Sequence, residues 1–159
     1  MRPAGHRGAE WLKTSDLRSS QVLVTWLDDS VNYQELFADV RRRPGMFCLD
    51  GTFHDFTVFV RGCEAGNDWQ LLTGFREWLV TRVGGGDNLI WEALVLRLAF
   101  PEQSHGPTRE ELAKDSVINN AAVERLFELL DEFLQMRAEH GGVAKVFDEY
   151  WRWRRAQPW

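Results

Sequence analysis

No stretch of this sequence approaches the roughly 18 consecutive apolar residues of a membrane span, and it holds only two cysteines and five prolines. Two cysteines allow one bridge at most, which excludes a disulfide-built scaffold. Cys48 and Cys63 stand outside any Cys-x-x-Cys spacing. They read as buried free thiols of a reducing, cytoplasmic compartment. The basic start lacks an apolar h-region, so no secretory signal is expected. His-Glu-x-x-His and zinc-spaced Cys/His clusters are missing as well, so no metal and no cofactor is expected. Positive charge is short: 19 Lys and Arg face 24 Asp and Glu, a formal net charge of −5. A general nucleic-acid binder would be basic. Nucleic acid is therefore an unexpected partner, and so is a membrane.

Aromatic residues are plentiful. Eight tryptophans and ten phenylalanines sit among 159 residues that are 44% hydrophobic, which excludes a disordered chain and fits one globular domain. Residues 1–19 are poor in apolar side chains and read as a disordered or mis-assigned arm. Val22, Val24 and Val31 are alternative starts for a chain without it. Residues 20–155 read as a single helical domain and 156–159 as a tail.

Gln21–Trp26 is β-prone and has no evident strand partner, so it reads as a short strand, a packed extended segment or part of a leader. From Asn32 the apolar spacing becomes helical. Tyr33, Leu36, Phe37 and Val40 share a face, and Pro44-Gly45 stops the run. Thr52 caps a second helix to about Ala65, with Phe53, Phe56, Phe59, Val60 and Cys63 inward, although a strand competes over Phe56–Val60. Asp68 caps a third, carrying Leu71, Leu72, Phe75, Trp78, Leu79 and Val83, which ends at Gly84-Gly85-Gly86. Asp87 or Asn88 caps a fourth, with Leu89 or Ile90, Ala93, Leu94 and Leu98 inward. Residues 101–115 read as a polar loop or short helix. Asn119 or Asn120 caps the longest helix, with Val123, Leu126, Phe127, Leu130, Phe133, Leu134 and Arg137 on one stripe. A last helix, about Val143–Arg154, places Val143, Val146, Phe147, Tyr150 and Trp151 together. About six helices joined by short Gly/Pro breaks imply an all-α bundle.

Four patterns offer chemistry. The glycine turn Gly84–Gly86 before a helix could cradle a phosphate, but it lacks the Lys-Ser/Thr of a P-loop, and two helix caps explain it. His54 lies between Cys48 and Cys63 in sequence, a pairing that only a structure can judge. Arg41-Arg42-Arg43 ends a helix, where cations suit the macrodipole. The fourth is a row of carboxylates, Glu124, Glu128 and Asp131 at i, i+4, i+7, with Glu132 beside it. Like charges at that spacing cost a helix a few tenths of a kcal/mol, so a basic protein partner is the functional reading. Trp151 and Trp153, interleaved with Arg152, Arg154 and Arg155, cover the bundle end, add to that partner contact, or meet nucleic acid or lipid.

The run Tyr33-x-Glu35-Leu36-x-x-x-Val40-Arg41-Arg42-Arg43-Pro44-Gly45-Met46-Phe47, followed by Phe53-x-x-Phe56-x-x-Phe59-Val60-x-Gly62, carries a resemblance. So do Gly74-Phe75-x-Glu77-Trp78-Leu79, Asn88-Leu89-x-Trp91, Leu98-Ala99-Phe100-Pro101 and Ala122-Val123-Glu124-Arg125-Leu126-Phe127. Together they resemble small bacterial proteins marked by Arg-Pro-Gly-Met-Tyr/Phe, some of which look like immunity proteins of polymorphic toxin systems. The likeness runs from Val31 to Glu139, and Phe47 and Cys48 stand where Tyr and Leu are common. It implies a toxin-binding, non-enzymatic role, with Pro44-Gly45 as a turn and Met46 and Phe47 as core anchors behind Arg43.

The expectation is thus a helical domain that binds another protein and catalyses nothing, most concretely an inhibitor that occludes a bacterial toxin, with its oligomeric state open. Two other classes compete. One is a small enzyme or ligand-binding protein with a tryptophan-lined pocket near Cys48, His54 or Trp91. The other is a regulatory or structural protein that oligomerises through its last helix.

Overall fold

The computed structural model describes residues 31–103 and 105–158. The expected arm and strand, with Trp11 and Trp26, lie outside those residues, as does Trp159 of the tail. The chain divides after Tyr33, and the architecture below is that of the unit beginning at Gln34. It is an all-α bundle. The described helices are α1 (Tyr33–Arg42), α2 (Phe53–Gly66), α3 (Phe75–Val83), α4 (Trp91–Ala99), α5 (Arg109–Lys114), α6 (Ser116–Ala138) and α7 (Gly142–Arg155), with a 3₁₀ turn at Pro44–Phe47. No strand occurs among the described residues.

The centre of the bundle is α6. Leu126, Leu129, Leu130 and Phe133 are all but fully buried, and α2, α3, α4, α5 and α7 each pack against α6 or against a helix that does. An aromatic cluster joins three helices: Phe75 lies 5.0 Å from Phe133 and 5.9 Å from Trp78, with Trp91 5.8 Å away on its other side. Each such buried side chain contributes about 1.5–3 kcal/mol by leaving water. The segment 53–65 is a helix and not a strand, because Thr52 and Asp55 form a reciprocal capping box at its start and every third or fourth residue reaches the core.

Several expected boundaries shift, each for a local reason. The third helix begins at Phe75, not near Asp68. Asp68 and Trp69 are both left-handed, at φ 51° and 59°, and Leu71 and Leu72 reach the core from a turn. The fourth helix begins at Trp91 and leaves Ile90 exposed at its N-cap. The triple glycine therefore stops four residues short of a helix N-terminus and forms no phosphate cradle with it. Gly86 is there because its backbone is left-handed, at φ 78°, and a Cβ would also come within 2.9 Å of Leu94 Cδ2. α6 begins at Ser116, because the Asp115 carboxylate accepts from the N–H groups of Val117 and Ile118. Asn119 is buried inside its first turns, where its Oδ1 accepts from Phe53 N at 2.8 Å and its Nδ2 donates to the Gly51 carbonyl at 3.2 Å.

The Arg-Pro-Gly-Met-Phe run is a turn, as expected, but Met46 is no core anchor. It is 70% exposed, and only Phe47 tucks inward, edge-on to Phe59 at 5.7 Å. A 3₁₀ turn stacks side chains every third residue, so four residues cannot bury both. Cys48 follows at φ 57° and is exposed, which corrects the reading of two buried thiols. Cys63 is partly covered, and burial raises its thiol above the ordinary value.

Candidate docking site

α1 runs antiparallel to α6, and two polar rungs tie them. Gln34 Nε2 donates to Asp131 Oδ1 at 2.9 Å, and Arg41 reaches Glu124 at 3.7 Å. Gln34 and Arg41 are seven residues apart, and so are Glu124 and Asp131. Seven residues are two helical turns, about 10 Å of axis, so both rungs fall on facing sides. Between them lies an open cleft of about 330 Å³, lined by Gln34, Phe37, Ala38, Arg41, Phe127, Glu128, Asp131 and Leu134. Its floor is aromatic and aliphatic, and its rim is charged.

The floor is fixed from below. Phe127 meets Phe56 of α2 edge-on at 4.9 Å, and Phe37 meets Phe59 at 6.5 Å. On the rim, the Asp131 carboxylate accepts from two neutral amides, Gln34 and Gln135 at 2.9 and 2.7 Å, and no cation among the described residues pairs with it. Glu128 pairs with Arg125 within α6 at 3.1 Å. Those amides orient Asp131 without neutralising it, so among the described residues the lining presents two carboxylates, Glu128 and Asp131, against the single cation Arg41.

The structure brings three of the expected partner-binding residues to this cleft: Glu124 at one rung, Glu128 on the rim and Asp131 at the other rung. Glu132 is elsewhere. It takes a hydrogen bond from Arg82 of α3 at 2.6 Å, and that guanidinium lies 3.8 Å from the centre of the Trp78 ring, so Glu132 joins helices. The helical turn of about 100° per residue puts Asp131 on the cleft face and the adjacent Glu132 on the face toward α3. Trp151 and Trp153 are on α7, outside the cleft lining. Trp151 is 51% exposed, against the inward position expected of it. Tyr150 takes the buried place and Trp153 lies half-buried 6.0 Å from it.

Other sites of interest separate. His54 lines a smaller recess of about 220 Å³ with Asp50, Thr52, Asp55, Arg109 and Asn119. Cys48 is not part of that lining. Asp55 is committed there to the backbone of Thr52 and Asp50. Among the described residues no three His, Cys, Asp or Glu gather as a metal site, and no helix is long and apolar enough to cross a membrane.

Sequence reasoning missed two features. Phe37 and Arg41 read only as core and helix end, yet with Gln34 and Ala38 they make half the cleft lining. The matched seven-residue spacing of Gln34/Arg41 and Glu124/Asp131 was the available signal. The second is Trp69, 64% exposed on a turn whose left-handed residues cost about 1–2 kcal/mol each. Glu64 clamps that turn through Trp69 N at 2.9 Å and Leu72 N at 2.6 Å, and Arg137 donates to the Leu71 carbonyl. No pattern in the sequence marks it. No protein-family model, curated protein or solved structure matches this chain.

Proposed function

We propose that this chain is a protein-binding domain that captures a basic segment of another protein in the cleft between α1 and α6. The observation that carries the reading is the cleft itself. An aromatic floor is held open by two polar rungs, and Asp131 on its rim is oriented but not neutralised. An apolar or aromatic anchor flanked by Arg or Lys suits that arrangement: the anchor enters the cleft beside exposed Ala38, above the buried Phe37, Phe127 and Leu134, while the cation meets Asp131 and Glu128. Deep aromatic contacts ringed by charge are where most interface energy concentrates, and the rim charges speed capture of a basic partner. In the setting implied by the Arg-Pro-Gly-Met-Phe resemblance, the partner is a toxin domain and the domain inhibits it by covering a basic surface. That finer identity rests on the resemblance alone.

A photo-crosslinking residue at Ala38, which is exposed and lines the cleft, tests the reading in the producing cells. A discrete protein adduct that disappears in the Glu128→Lys/Asp131→Lys background is expected. An adduct that forms equally from Glu110 on α5, or that survives the charge reversal, removes the cleft as the site.

A further inference from the structure

The cleft asks for an aromatic anchor beside cations, and the chain carries one on its own surface. The last turns of α7 read Tyr150-Trp151-Arg152-Trp153-Arg154-Arg155. Trp151 is half exposed, with the Arg154 guanidinium 5.6 Å from its ring centre. Arg152 pairs with Asp148 at 2.6 Å, and Arg155 is exposed. Three arginines at a helix C-terminus are stabilised by the helix dipole, but that accounts for the charge and not for an indole left in water beside them. The cleft lies on the face of α6 toward α1, whereas Phe133 of α6 meets Phe75 of α3 and Arg137 meets Leu71 in the turn before it. Among the described residues the lining comes from α1 and α6 alone.

From this complementarity we infer that the α7 end of one copy occupies the α1/α6 cleft of a second copy. Trp151 enters the cleft beside exposed Ala38, and Arg152 or Arg155 meets Asp131 and Glu128. The inference rests on the reading of the cleft as a docking site and names an occupant for it when no other partner is present. A basic partner would then have to displace the tail, which makes capture competitive with self-association. Donor and acceptor surfaces differ, so the contact is heterologous, and copies add head to tail instead of closing as a two-fold dimer. Charge carries part of the contact, so salt weakens it: the screening length falls from about 10 Å at 0.1 M to about 3 Å at 1 M.

Sedimentation velocity on the full chain, from micromolar to millimolar, tests it. The wild type is expected to form a concentration-dependent series of oligomers that shrinks at high salt. Asp131→Lys, or Glu128→Lys as a second choice, spoils the cleft. Arg152→Glu/Arg155→Glu, or Trp151→Ala, spoils the tail. All these positions are exposed, and circular dichroism checks that each variant is folded. Each variant alone is expected to associate about tenfold more weakly or worse. Mixing a cleft variant with a tail variant restores one good cleft and one good tail, and a single 1:1 dimer appears. A wild type that is monomeric throughout overturns the inference, as does a mixture that fails to pair, or a tail variant that abolishes association while the cleft variant keeps it. A foreign adduct at Ala38 on a strictly monomeric chain would remove self-occupancy alone. Self-association with no foreign adduct would remove only the foreign partner.

Discussion

Replacing Asn119 by alanine should cost this fold more than any other polar substitution in α6. Asn119 is only 8% exposed, and its amide ties the beginning of α2 to the beginning of α6 across 66 residues of sequence. Truncation leaves the Phe53 N–H and the Gly51 carbonyl without their partner. An unsatisfied buried group costs about 1–3 kcal/mol, and the Gly51 side of the pair, at 3.2 Å and part-buried, belongs at the low end. The expected loss is about 2–4 kcal/mol, a large part of the roughly 5–15 kcal/mol that stabilises a domain. At about 3 °C per kcal/mol for a chain of this size, the melting temperature falls by about 6–12 °C. Asn119→Asp keeps the acceptor for Phe53 but sets a carboxylate against the Gly51 carbonyl, and should lie near or below alanine. Urea unfolding followed by circular dichroism gives the number. A loss under about 0.5 kcal/mol for Asn119→Ala would show that water replaces both bonds and that α2 is held by its aromatic contacts alone.

Other outcomes follow from single contacts. Gly142→Ala places a Cβ 2.2 Å from the Met136 carbonyl oxygen, so the α6–α7 hairpin has to open. A loss of several kcal/mol is expected in the same unfolding assay, on the scale of other core overpacking, while Gly85→Ala, with nothing within 4 Å of its Cβ, changes little. The Thr108 backbone and hydroxyl both donate to the Glu111 carboxylate and hold its pKa below the usual value. A depressed carboxylate helps the folded state above its unfolded pKa and loses that contribution as pH falls through the folded one. Carbon-detected NMR should therefore place the Glu111 midpoint below that of an ordinary glutamate, and Thr108→Ala should return it upward. Ellman's reagent should label exposed Cys48 well before Cys63, whose thiol is raised by burial. Equal rates would contradict the burial of Cys63.

Most of the fold was legible because helices announce themselves by period. The stripe from Val123 to Arg137 faces inward as spacing requires, and Thr52, Pro44 and Gly84 mark ends that the backbone obeys. The misplaced starts share one cause. Asp68, Asn88 and Asn119 are all residues able to cap, and spacing cannot tell a cap from a turn residue or a buried amide. Asp68 sits in a left-handed turn fixed by Glu64 and Arg137, and Asn119 serves a strictly tertiary bond. Met46 failed for a similar reason: hydrophobicity suggested the core, but a four-residue 3₁₀ turn has one inward position and Phe47 takes it. At the site, the acidic row was visible, but its division was not. Whether a carboxylate on α6 meets α1 or Arg82 depends on where neighbouring helices lie, and those come from segments 50–97 residues away.

The central claim is that Asp131 and Glu128 receive a basic partner over the Phe37–Phe127 floor. The most direct measurement is the affinity of the partner recovered by crosslinking for the wild type and for Glu128→Lys/Asp131→Lys, alongside the melting temperature of each. Reversal of both charges is predicted to weaken binding by about tenfold to a hundredfold, while the melting temperature falls only slightly, because the Gln34 rung and the Arg125 pair that are lost are both exposed. Equal affinity for the two proteins would place the partner elsewhere on the molecule and contradict the cleft as its site.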